Sequence, residues 1–125
     1  MPEALLLTGT DEFPAILLDA EKQQFEISGR SLPENVNTVY EPVLNWINSY
    51  LKNPNPKTEI NIKLEYFNSA SAKKLTEILL LFETASKKGI DVQIKWFYRN
   101  SDETMEAKGR FLKKAVQVPF EVIEF

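Results

Sequence analysis

The sequence predicts an α/β fold in one domain over residues 1–125: a mixed, mostly parallel sheet with its helices mainly on one face, in the order β-β-α-β-α-β-α-β. Three observations carry this. Short runs with apolar residues at every second position alternate with longer segments whose apolar residues recur every three or four. Segments of helical length between successive strands require right-handed crossovers, and hence parallel pairing. The strands also alternate apolar with polar residues, so one sheet face is wetter and the helices gather on the other. At 125 residues the chain is long enough to bury an ordinary core. No linker, repeat or low-complexity tract divides it.

The elements follow in order. Ala15–Asp19 and Gln23–Ser28 read as two short antiparallel strands with Asp19-Ala20-Glu21-Lys22 as the hairpin loop; Phe25 and Ile27 alternate with Glu26 and Ser28. Ser31-Leu32-Pro33-Glu34 has capping-box spacing with proline in the opening turn. The helix that follows places Val36, Val39, Tyr40, Val43, Leu44, Ile47 and Leu51 inward. Pro42 fits only a first turn or a kink, which moves the regular helix start toward Thr38, and Asn53-Pro54-Asn55-Pro56 ends it. Lys57–Tyr66 is the clearest strand, with Ile60, Ile62 and Leu64 against Glu59, Asn61, Lys63 and Glu65. A second helix spans about Ala70 to Lys88, striped by Leu75, Ile78, Leu79, Phe82 and Ala85 and closed by Lys87-Lys88-Gly89. Asp91–Arg99 is a strand, Ser101-Asp102-Glu103 opens a third helix carrying Met105, Phe111, Leu112 and Ala115, and Val118–Phe125 is the last strand. Gly109 weakens that third helix by roughly 1 kcal/mol relative to alanine.

Composition excludes more than it assigns. Hydrophobic residues at 43% and charged ones at 26% place the chain among soluble globular proteins. No apolar run reaches a membrane span of about 18 residues. The start, Met1-Pro2-Glu3-Ala4-Leu5-Leu6-Leu7, lacks the basic flank of a secretory signal, so the cytoplasm is the expected location. With no cysteine and no histidine, disulfides, thiolate chemistry, Ser-His-Asp triads and Cys/His zinc sites cannot be built. The chain therefore reads as no enzyme, with no cofactor and no metal. Residues 1–65 hold 10 acidic side chains against 5 basic, and residues 66–118 hold 10 basic against 6 acidic. Lys73, Lys74, Lys87, Lys88, Lys113 and Lys114 read as solvated helix faces, and the basic excess is too small for nucleic-acid binding.

The most informative stretch is Leu64-Glu65-Tyr66-Phe67-Asn68-Ser69-Ala70-Ser71, where a strand runs into a helix through two hydroxyls and small residues. A serine at a helix N-terminus meets unpaired backbone N–H groups and the positive end of the dipole, so a phosphate is electrostatically easy to add there. Its plainer role is to cap the helix.

That element order, with a phosphorylatable hydroxyl where the third strand meets the second helix, resembles the STAS fold of anti-sigma factor antagonists. More narrowly, Phe25-Glu26-Ile27-Ser28-Gly29-Arg30-Ser31-Leu32-Pro33-Glu34-Asn35, Tyr40-Glu41-Pro42, Trp46, Leu64 to Ser69, Lys95-Trp96-Phe97-Tyr98 and Val118-Pro119-Phe120 resemble the SiaC family of bacterial regulatory phosphoproteins. The resemblance implies a STAS-like partner switch. A cognate protein kinase phosphorylates the domain and a metal-dependent PP2C-type phosphatase reverses it. The unmodified form binds a target protein, a diguanylate cyclase in SiaC-like systems or an anti-sigma factor in other STAS systems. The acceptor position falls on Ser69, where serine replaces the commoner threonine and Ala70 replaces the next hydroxyl; Ser71 is the fallback acceptor. Asn68, Ser69, Ala70 and Ser71, with Glu65, Glu34 and Asn35, form the expected partner-binding set.

Each of these residues also has a plain structural role: Glu65 as a solvated strand carboxylate, Pro33-Glu34-Asn35 as a helix opening, Trp96 and Tyr98 as core, and Asp102, Glu103 and Glu106 as dipole-favoured residues of a first turn. Two competing classes follow. One is a serine hydrolase pairing Ser69 or Ser71 with Lys73 or Lys74, which lacks a nucleophile elbow and an oxyanion hole. The other is a constitutive structural subunit whose serines are only caps.

Overall fold

The computed structural model describes residues 2–125; Met1, part of the N-terminal reading above, lies outside them. Six strands, β1 (Leu5–Leu7), β2 (Ala15–Asp19), β3 (Gln24–Ser31), β4 (Thr58–Phe67), β5 (Val92–Tyr98) and β6 (Phe120–Glu124), form one sheet in sequential order. β1–β2 and β2–β3 pair antiparallel, and β3–β4, β4–β5 and β5–β6 pair parallel. The three parallel steps are bridged by α1 (Val36–Tyr50), α2 (Ser69–Lys87) and α3 (Glu103–Ala115). The expected mixed, mostly parallel sheet is present.

Alternation decides which face is covered. Ile27, Ile62 and Trp96 lie in one register row and are fully buried, whereas Glu26, Asn61 and Lys95 form a row on the wetter side. α1 reaches the buried side through Trp46 and Tyr50, whose rings lie 5.9 and 5.1 Å from Phe25. α3 reaches it through Met105, whose carbonyl accepts from Trp96 Nε1 at 3.0 Å. The stripe of α2 (Leu75, Ile78, Leu79, Phe82) enters the same core cluster. The C-terminus of α2 closes as expected. Gly89, at φ +93°, donates to Ser86 O, and Ile90 donates to Ala85 O, the paired bonds of a Schellman end that favours glycine at the left-handed position.

Several expectations are corrected. The strand β1 adds a ninth element before the predicted order. Three residues are too few for a period to show, and pairing with β2 together with the Trp46 Nε1 bond to Glu3 O (2.6 Å) holds the segment. The capping box does not form. Ser31 is the buried last residue of β3, and Asn35 caps α1 by accepting from Asn37 N (3.2 Å). Pro42 sits within α1, which starts at Val36 and not near Thr38. The missing N–H leaves the carbonyl of Thr38, an exposed residue, free to be satisfied by water. Trp46 and Tyr50, absent from the predicted stripe, belong to the core.

The Gly109 expectation changes sign. A Cβ at Gly109 would lie 2.4 Å from Trp96 Cδ1 and 2.6 Å from Nε1, so glycine is what lets α3 close over the buried indole. Phe111, read alongside the helix's core residues, points outward and is 72% exposed; α3 instead buries Met105, Gly109 and Leu112.

Candidate functional site

The end of β4 does not keep its alternation. Gly29 pairs with Leu64 and the next residue, Arg30, pairs with Tyr66, so Glu65 is the extra residue of a β-bulge. Leu64 and Phe67 therefore point inward, while Tyr66 turns out and is 45% exposed. The chain then enters α2 directly. Asn68 is the N-cap: its side-chain oxygen accepts from Ser71 N at 2.8 Å, its backbone N–H donates to Ser31 O at 3.0 Å, and its Nδ2 donates to Pro33 O at 3.5 Å. An asparagine, and neither serine, does the capping.

The two serines have separate fates. Ser71 is fully buried and joins three elements. Its hydroxyl donates to Ser31 O (3.1 Å) and lies 2.8 Å from Ser31 Oγ, which lies 2.6 Å from Tyr40 Oη. Each hydroxyl has one proton. With Ser71 donating to the carbonyl, Ser31 must donate to Ser71 and Tyr40 to Ser31, a single directed chain from α1 through β3 to α2. Burial pushes the Tyr40 phenol above its ordinary pKa, with the nearby Ser31 and Ser71 hydroxyls acting in the opposite direction. Ser69, at the first position of α2, is exposed and belongs to neither the cap nor this chain.

Ser69 and Asn68 stand on the edge of an open cleft of about 490 Å³ between α2 and α3. Its walls include Tyr66, Phe67, Ala72, Lys108, Phe111 and Leu112. Lys108 Nζ lies 4.4 Å from the Phe67 ring centroid and 5.3 Å from that of Tyr66, and the Arg30 guanidinium lies 6.0 Å from the latter. Ala70, exposed, adds a small surface beside Ser69.

The predicted set is only partly assembled. Asn68, Ser69 and Ala70 share one surface, and Glu34 and Asn35, both exposed, are brought near it by the contact between Asn68 and Pro33. Glu65 does not join them. It lines a second cleft with Ser28, Lys63 and Phe125 and pairs with Arg99 at 3.6 Å. Ser71 lies beneath the surface. Tyr66, Lys108 and Phe111 were missed by sequence reasoning. The available signal was that Phe111 falls out of phase with the Met105, Gly109 and Leu112 stripe. Lys74 pairs with Glu77 at 3.3 Å. Asp102 caps α3 by accepting from Met105 N (3.0 Å), and Glu106 holds Arg110 at 2.7 Å. Among the described residues no three Asp or Glu side chains gather as a metal site, and no helix is long and apolar enough to cross a membrane.

The SiaC family regulatory phosphoprotein model matches residues 7–125. A protein of Pseudomonas aeruginosa (strain UCBPP-PA14) is 28% identical over 118 residues, which is 94% of this chain and 94% of that one. The solved structure of SiaC of Pseudomonas aeruginosa superposes with a TM-score of 0.90 at 26% identity, covering 99% of this chain and 100% of that one. A chain in the crystal structure of diguanylate cyclase SiaD in complex with its activator SiaC, from the same organism, gives 0.92 at 27% identity, covering 97% and 99%. With a match over nearly its whole length, the chain belongs to the SiaC family of regulatory phosphoproteins.

Proposed function

We propose that this chain is a non-enzymatic partner-switch regulator that works in the cytoplasm. Unmodified, it binds a diguanylate cyclase through the surface around Ser69. A cognate kinase phosphorylates Ser69, and a metal-dependent phosphatase restores the unmodified form. The observation that carries the reading is the division of labour at the start of α2: Asn68 caps, Ser71 is locked in the interior, and Ser69 is left exposed beside an apolar cleft. Ser71 as acceptor would require local opening of the helix start, so Ser69 takes the role. Membership of the family and likeness to a chain crystallised in a diguanylate cyclase–activator complex support the choice of target.

The energetics favour an all-or-none effect on docking. Phosphate adds about −1.5 to −2 charge at pH 7. In the free domain the helix terminus stabilises it by roughly 0.3–1 kcal/mol. Buried at an interface without a cation it costs several kcal/mol, enough to lower affinity about a hundredfold or more. The fold itself is unaffected because Ser69 makes no core contact.

The test is mass spectrometry on protein from its native host, wild type beside Ser69→Ala, followed by binding of both phospho-forms to a purified diguanylate cyclase. Phosphate on Ser69 with loss of binding is expected. Absence of phosphate under every growth condition would leave a constitutive subunit as the reading.

A further inference from the structure

Resting on that reading, we propose that the cleft between α2 and α3 is a docking groove for an acidic amphipathic helix of the partner protein, with Phe111 and Tyr66 as apolar anchors and Lys108 as the counter-charge. The shape is that of a helix-in-groove site. The α2 wall is Ser69, Ala72 and Thr76, which lie at i, i+3 and i+7 on one face. Their small side chains let a third helix approach closely. The opposite wall rises on Phe111, whose ring is 72% exposed and plays no part in the core that α3 covers. A phenylalanine held in water beside a half-exposed tyrosine is the arrangement of an anchor pair awaiting a partner.

Charge selects the occupant. No carboxylate lines the cleft. Among the described residues Lys108 has no acidic side chain within 4.0 Å, and its ammonium rests against the Phe67 and Tyr66 rings. Arg30, outside the cleft lining and donating from Nε to Asp11 O at 3.2 Å, adds positive charge behind the Tyr66 ring. The other large cleft is the contrast: there Lys63 is paired with Glu26 at 3.2 Å and Arg99 with Glu65 at 3.6 Å, so it is neutralised from within. Lys108, the cation that lines the groove, has no internal carboxylate partner and is complementary to carboxylates brought from outside. The same geometry gives the modification a reason to act. A phosphate on Ser69 enters the rim of this groove, where it competes with the incoming carboxylates for Lys108 and repels them.

The test uses the unmodified full-length chain and backbone-amide NMR titration with a designed peptide of about 15 residues, near the minimum length for a helix in water. The peptide carries Leu at i, i+3, i+4 and i+7 and Glu on the flanks; matched versions carry Gln or Lys there. Shift changes confined to Tyr66–Thr76 and Lys108–Leu112 are expected. The Glu peptide should bind at least about fivefold tighter than the Lys peptide, Lys108→Glu should reverse that preference, and Phe111→Ser should weaken binding about tenfold. Absence of binding, shifts elsewhere on the surface, or equal affinity for all three peptides would overturn the proposal; in the last case the groove takes apolar helices irrespective of charge. No phosphate is involved, so this outcome is independent of whether Ser69 is modified in the native host.

Discussion

Replacing Gly109 by alanine is the substitution whose outcome the helix and the tertiary packing predict with opposite sign. On helix propensity alone, Gly109→Ala in α3 gains roughly 1 kcal/mol. The added methyl would sit 2.4 Å from Trp96 Cδ1, 2.6 Å from Nε1 and 2.9 Å from Cγ, about an ångström inside ordinary contact. The indole has nowhere to go. It is fully buried, with Phe67 edge-on at a centroid distance of 5.9 Å and Phe120 stacked at 6.5 Å. Moving α3 outward instead strains the Trp96 bond to Met105 O. Overpacking costs about 1–3 kcal/mol, and a buried N–H left without its acceptor costs about 1–3 kcal/mol more. Against the helix gain, the balance is about 3 kcal/mol of destabilisation. Urea unfolding followed by tryptophan fluorescence reads this directly: with a slope of about 1–3 kcal/mol per molar, the midpoint should fall by ~1–3 M. An alanine variant as stable as wild type or more so would refute the reasoning, because it would mean that α3 does not close on Trp96. Lys108 flanks the substituted position and Phe111 lies two residues on, so the displaced helix should also widen the cleft and weaken partner binding.

Three further outcomes are expected. Asn68→Ala removes the cap of α2 and should cost about 1 kcal/mol of stability, measured as a urea midpoint, with faster amide exchange at Ser71 as the local signature. Ser71→Ala leaves the buried Ser31 hydroxyl without its acceptor, although the Ser31 carbonyl keeps the Asn68 N–H, and should cost about 1–3 kcal/mol, whereas Ser69→Ala should leave the midpoint unchanged; equal effects would refute the division between the two serines. For Tyr40 the folded-state pKa is raised, so its contribution to stability is complete below the unfolded value of ~10 and is lost as pH rises beyond it. Wild type should therefore lose more stability than Tyr40→Phe between pH about 9 and about 11, in paired urea titrations.

Local pattern was enough for much of the fold. The alternation of Ile60, Ile62 and Leu64, the stripe from Leu75 to Ala85, and Gly89 closing α2 are one-dimensional signals, because backbone geometry imposes periods of two and 3.6 on any chain that buries one face. Those periods determined the α/β class, the parallel crossovers and the strand-to-helix junction that carries Ser69. Only the tertiary structure decided what each residue at that junction does. A single extra residue at Glu65 rotates Tyr66 outward and Phe67 inward, and that bulge exists only because β3 is paired alongside. Ser31, which has the spacing of a helix cap, became an interior hydroxyl because Tyr40 and Ser71 converge on it from two other elements. Gly109 reads as a helix weakness in one dimension and is the clearance for an indole in three. The cleft beside Ser69 joins residues about 40 apart in sequence, and its shape and charge belong to the way α2 and α3 are set side by side over the sheet, which no local period encodes.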